Sequence, residues 1–161
     1  MRNTSQIGEV TVAQVIAALA KVGKLVLLPF GGDKRYDLVI EEEDGRFLRI
    51  QCKTGRLIRG AVTFYPCSVD SRSEKGRCIR KSYGGQVELF GIYCPDNDKV
   101  YLVPIGALTD QQQCRLRVEP PRNNQQSGIR WGKDYEVETP ARLGDNADLA
   151  FSRHSDTIKD D

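Results

Sequence analysis

No stretch of the chain approaches 18 apolar residues, and the opening run Met1–Val10 has no apolar signal core. A spanning helix and a secretory leader are therefore not expected. Histidine occurs once, at His154. The five cysteines, Cys52, Cys67, Cys78, Cys94 and Cys114, form no Cys-x-x-Cys pair. Those two scarcities argue against a zinc finger or a His/Cys metal cluster. They also leave no Ser–His or Cys–His arrangement for nucleophilic catalysis. Neither sign of charge dominates, with 24 Lys+Arg against 22 Asp+Glu and a net charge of +2. That balance excludes long polyelectrolyte tails. The expectation is a reduced, cytoplasmic, soluble protein with no membrane partner.

The 161 residues suit one domain, long enough to bury a core without staples. The charge is uneven. Residues 144–161 hold Asp145, Asp148, Asp156, Asp160 and Asp161 against Arg153 and Lys159, a net −3. The rest of the chain is correspondingly basic and suits an anionic partner. The expected division is a folded domain over 1–143 and an acidic tail over 144–161.

Helical periodicity covers residues 5–22, with Ile7, Val12, Val15, Ile16, Leu19 and Val22 as the apolar band. Thr4 or Ser5 is the expected cap, and Gly23 the stop. Glu9 lies beside that band, either at its rim or turned inward. Strands are expected at Val26–Phe30, Asp37–Ile40, Phe47–Lys53, 61–65, Val87–Cys94, Lys99–Val103 and Arg115–Val118. Pro95-Asp96-Asn97-Asp98 is a hairpin turn. Residues 68–86 are polar and basic and read as a long loop. Trp131 reads as an anchor in the core or a subunit contact. Helix followed by strands implies an α/β or α+β layer structure with a mixed sheet.

In Phe47–Lys53, alternation sets Leu48, Ile50 and Cys52 on one face and Arg49, Gln51 and Lys53 on the other. Asp37 opens the preceding strand and can face Gln51 and Lys53. The first helix can add Glu9. Two carboxylates, an amide oxygen and a lysine suit a divalent cation, because Mg²⁺ takes oxygen ligands and keeps several waters. Such an ion can activate water, and the lysine can orient it or offset developing negative charge. The same residues also fit a solvated sheet face with an ordinary turn aspartate. Spacing alone leaves both readings open.

A wider set of segments narrows the choice. These are Thr4-Ser5-Gln6-Ile7-Gly8-Glu9, Leu27-Leu28-Pro29-Phe30-Gly31, Arg35-Tyr36-Asp37-Leu38-Val39 and Arg49-Ile50-Gln51-Cys52-Lys53-Thr54-Gly55-Arg56. The set continues in Phe90 to Pro104, Arg117 to Gln125 and Ile129-Arg130-Trp131. Across roughly residues 4–140 the chain resembles the PD-(D/E)XK nuclease superfamily. Within it, the resemblance is to a small bacterial branch that includes a group I intron-encoded homing endonuclease. The resemblance implies an α/β, restriction-endonuclease-like core with a central mixed sheet flanked by helices. It implies Glu9 as accessory acid, Asp37 as metal-binding acid, Gln51 in the place of the usual Glu or Asp, and Lys53 as catalytic lysine. Metal ligands would be Glu9, Asp37 and Gln51, holding Mg²⁺ with Mn²⁺ as a substitute. Tyr36 replaces the usual proline, and Glu88 stands where relatives often carry Asp.

The implied activity is site-specific hydrolysis of double-stranded DNA, of the homing-endonuclease type, by a homodimer or homotetramer. The alternatives are a structure-selective junction nuclease and a DNA-binding protein that has lost hydrolysis. Candidate DNA contacts are Lys34, Arg35, Arg56, Arg59, Arg80 and Lys81. Arg72, Lys75, Arg77 and Tyr83 lie in the same basic segment.

Overall fold

The computed structural model describes residues 3–70, 79–108, 113–120 and 127–138, without the side chains of 69, 70, 79 and 80. Helix α1 spans Thr4–Lys21. Asn3, rather than Thr4 or Ser5, is its N-cap. Its side chain accepts from the Gln6 amide while Gln6 Oε1 accepts from the Asn3 amide. That reciprocal pair satisfies donors that the first turn leaves open. Gly23 follows the helix at φ +78°, the left-handed position a glycine fills without strain.

Among the described residues there are ten strands: β1 (Leu25–Leu27), β2 (Leu38–Glu41), β3 (Phe47–Thr54), β4 (Arg56–Ile58), β5 (Ala61–Phe64), β6 (Cys67–Asp70), β7 (Ile79–Ser82), β8 (Leu89–Cys94), β9 (Lys99–Pro104) and β10 (Cys114–Arg117). Five of them form the central sheet in the order β1-β2-β3-β8-β9. β3 and β8 are parallel; the other neighbours are antiparallel. The sheet is therefore mixed, as expected. A second sheet has the order β10-β5-β4, and β6 and β7 form a separate ribbon.

Two apolar layers hold these parts together. On one face of the central sheet, Val15, Ala18 and Leu19 of α1 pack with Leu38, Ile40, Ile50, Cys52, Tyr93 and Val100. On the other, Val62, Phe64, Cys114 and Leu116 of the second sheet meet Phe90, Ile92, Cys94, Tyr101 and Val103. Helix α1 approaches the sheet closely at Gly91, where an added Cβ would stand 2.9 Å from Val15 Cγ1 and 3.1 Å from Ile50 Cγ2.

Two expectations are corrected. The first strand is shorter than Val26–Phe30, ending at Leu27 before Pro29 and the glycines. Residues 68–86 are not simply a loop, because β6 and β7 pair from Cys67–Ser82 to Asp70–Ile79. The expected α/β core, a central mixed sheet with helical cover, is found. Among the described residues one α-helix covers one face, and the second sheet covers half of the other. The expected tail over 144–161 lies outside the described residues. Among those described, no helix is long and apolar enough to cross a membrane.

Candidate active site

Asp37 immediately precedes β2, and its amide donates to the Ile50 carbonyl at 2.9 Å. That bond extends the β2–β3 pairing by one step and places Asp37 opposite the middle of β3. Its Oδ2 accepts from Gln51 Nε2 at 2.5 Å and from the Cys52 amide at 2.7 Å. Gln51 Nε2 also donates to the Cys52 carbonyl at 3.3 Å. One amide nitrogen thus sits between a carboxylate oxygen and a backbone carbonyl oxygen. Asp37 is half-buried, and desolvation pushes its pKa above the ordinary carboxylate value. The Cys52 amide, the Lys53 charge and the Gln51 side chain pull the other way without cancelling that shift.

Lys53 projects on the same side of β3, two residues beyond Gln51. Its ammonium donates to the Cys67 carbonyl at 3.1 Å and to Tyr83 Oη at 3.2 Å, and lies 4.8 Å from the Tyr83 ring centre. Tyr83 is buried and packs edge-on against Phe90, with ring centres 5.6 Å apart. The Arg35 guanidinium stacks on the same ring at 4.1 Å. Arg35 also donates to Gln86 Oε1, Ser68 Oγ and the Ser82 carbonyl. The β6–β7 ribbon is thereby tied to the lysine.

The structure brings Asp37, Gln51 and Lys53 together. The hydrogen bond it gives the exposed Glu9 is from Ser5 Oγ at 3.4 Å, within α1. Among the described residues no three His, Cys, Asp or Glu side chains cluster as a metal cage. Lys34, Arg56, Arg59 and Lys81 are exposed. Arg35 is instead committed to the contacts just given. The Arg80 side chain and residues 72, 75 and 77 lie outside the described residues. Sequence reasoning placed Tyr83 among the basic residues but not beside Lys53. Only its position after a basic segment hinted at a role.

Glu88 has a clear structural part. Its carboxylate takes Arg49 Nη2 and Nε at 2.5 and 3.0 Å and the Arg49 amide at 2.7 Å. The Arg49 hydrogen bond, foremost, holds the Glu88 pKa below the ordinary value. This clamp joins β3 to the start of β8, next to the site.

A divalent ion fits these donors in kind. The oxygens of Asp37, the Cys52 carbonyl and the Gln51 amide are hard ligands of low total charge, as an ion that keeps its waters needs. The place between the first two now holds a positively polarised N–H₂ group. Two clefts, of about 390 and 380 Å³, lie elsewhere and include none of Asp37, Gln51 and Lys53. The site is an open sheet face, suited to a polymer more than to an enclosed small molecule.

The fold matches that of a solved nuclease structure. The solved structure of a bacterial homing endonuclease, I-Ssp6803I, superposes with a TM-score of 0.68 at 19% sequence identity, covering 84% of this chain and 89% of that one. That likeness is one of fold. The sequence itself matches the PD-(D/E)XK endonuclease family model over residues 2–138. The chain belongs to that family. No curated protein matches it.

Proposed function

We propose that this chain is a Mg²⁺-dependent, site-specific DNA endonuclease of the homing type, with Mn²⁺ able to substitute. The observation that carries this reading is the convergence of Asp37, Gln51 and the Cys52 backbone on one point, with Lys53 alongside. Asp37 is the anionic ligand. Both of its described hydrogen bonds fall on Oδ2, which leaves Oδ1 turned to other partners. Gln51 supplies a neutral oxygen once its amide turns by half a rotation, a broad and nearly two-fold torsion. Glu9 is the accessory acid. Bound there, the divalent ion supplies an activated water and neutralises charge on the phosphodiester.

Lys53 spends two of its three N–H donors on Tyr83 and Cys67. The third is left for a phosphate oxygen. The exposed Lys34, Arg56, Arg59 and Lys81 supply phosphate contacts, which gives salt-dependent binding. Both strands of a duplex need a centre, so the working form is a homodimer or homotetramer. It acts in the cytoplasm, through a domain over 1–143.

One observation favours a second reading, a DNA-binding protein that no longer hydrolyses. Gln51 is a neutral amide where the resemblance implies an acid, which lowers the negative charge available to hold a cation. Incubation of long linear duplex and of four-way junctions with Mg²⁺, Mn²⁺ or chelator separates the readings. Discrete cuts in linear duplex that vanish with chelator support the homing type. Cuts confined to junctions point to the structure-selective nuclease. Tight binding with no cut in either metal overturns hydrolysis.

A further inference from the structure

A lysine ends in a compact ammonium on a flexible four-carbon stem, so its aim depends on what holds it. At Lys53 the holders lie where the β6–β7 ribbon closes. Cys67 opens β6 and pairs with Ser82, the last residue of β7, and Tyr83 follows directly. The two acceptors of Lys53 Nζ, the Cys67 carbonyl and Tyr83 Oη, thus come one from the end of each strand. With two N–H groups of an ammonium fixed, the third has one direction left. A tyrosine that only packs needs its ring alone. This one is 4% exposed, and its hydroxyl ends on the ammonium.

Arg35 braces the same ribbon end. Its guanidinium stacks 4.1 Å from the Tyr83 ring centre. Nη1 donates to Ser68 Oγ at 2.7 Å, Nη2 to the Ser82 carbonyl at 3.0 Å and Nε to Gln86 Oε1 at 2.7 Å. Ser68 follows Cys67, Ser82 precedes Tyr83, and Gln86 closes the turn after it, its amide donating to the Tyr83 carbonyl at 2.9 Å. All three guanidinium nitrogens are therefore engaged around the two acceptors of Lys53, whereas a phosphate contact needs the fork turned outward. We propose that Arg35 and Tyr83 are positioning residues: Arg35 fixes the base of the β6–β7 ribbon, and Tyr83, with the Cys67 carbonyl, aims the Lys53 ammonium. The chemical use of that aim rests on the nuclease reading. The holding of the ammonium does not, and the two are tested apart.

Three measurements on the full chain test it: single-turnover cleavage in Mg²⁺ or Mn²⁺, DNA affinity across a range of salt, and competitive acetylation of lysines read by mass spectrometry. Tyr83→Phe keeps the ring and removes only Oη. Arg35→Lys keeps the charge and removes the fork, and Arg35→Gln removes both. Circular dichroism should show all three folded. In Tyr83→Phe and Arg35→Lys the rate constant at saturating DNA should fall about 10–100-fold, the effect of a misplacement of about 1 Å, with affinity close to wild type. Arg35→Gln should keep the wild-type salt dependence, whereas loss of a phosphate contact lowers its slope by about 0.9. In DNA-free protein, acetylation of Lys53 relative to the exposed Lys34 should rise about 10-fold in Tyr83→Phe, as one charge-assisted hydrogen bond is freed. If the wild type cuts, variants that cut at its rate overturn the proposal and leave the nuclease reading standing. If the wild type cuts nothing, the nuclease reading fails and acetylation decides: a raised Lys53 signal supports the holding role, and an unchanged one overturns it. A lowered salt slope in Arg35→Gln makes that arginine a phosphate contact and overturns its part.

Discussion

At Asp37 the requirements of stability and chemistry oppose each other. Its raised pKa means that burial of the charged form costs the folded state at neutral pH. The contribution favouring the fold is complete below the ordinary 3.8 and is lost as pH rises through the raised value. Asp37→Asn should therefore melt at or above the wild-type temperature while losing cleavage. Thermal melting paired with a cleavage assay checks this, and a large drop in melting temperature would show a purely structural aspartate. Glu88 has the opposite sign. Its lowered pKa contributes stability that is complete above the ordinary 4.5 and lost as pH falls through the lowered value. Glu88→Gln should be less stable at neutral pH by at most about 1 kcal/mol, because the pair is over a third exposed. Denaturant titrations should show that difference vanishing in acid. Asp37, Gln51 and Lys53 were legible as a group because strand alternation alone puts Gln51 and Lys53 on one face. Tyr83 was not, because its place depends on packing against Phe90 and on Arg35, 48 positions earlier in the chain.

Among the elements, α1 and β3 are specified locally and β6 and β7 are not. The helix has alanines, an apolar band and a capping box within one short segment. Asn3→Ala should cost about 1 kcal/mol in denaturant unfolding, since it removes the side-chain acceptor of the cap. The α1 contact with the sheet is tighter than its cap. Gly91→Ala places a methyl against Val15 and Ile50 and should cost about 1–3 kcal/mol, by the same measurement. The β6–β7 ribbon escaped sequence reasoning because each strand is only four residues long, and Ile79–Ser82 lacks alternation. Its tether to the body, Arg35 on Ser68 and the Ser82 carbonyl, spans distant parts of the chain. The second sheet was partly legible. Residues 61–65 and 115–118 read as strands, but their pairing with each other crosses some fifty residues and has no local signature.

At the scale of the molecule, a helix and a small sheet grip a five-stranded sheet and leave its β1–β3 half open beside Asp37. The mixed sheet followed from the order of helix and strands. The open half did not, because exposure of Phe30 and Phe47 is a property of what fails to cover them. Cys52 gives a check on the assembled core. Burial, above all, pushes its thiol pKa far above the ordinary value. In the native chain it should resist thiol reagents at mildly alkaline pH and react once denaturant is added, as mass spectrometry of the labelled peptide would show.

The central claim is that Asp37 and Lys53 serve a hydrolytic centre on this sheet face. Single-turnover cleavage of a long duplex in Mg²⁺, for wild type, Asp37→Asn and Lys53→Ala, tests it most directly, with DNA affinity measured on the same samples. The account predicts cutting by the wild type, a rate loss of about 10²–10³-fold or more in each variant, and affinities close to wild type. Variants that cut as fast as the wild type, or a wild type that binds duplex and leaves it whole, would contradict it.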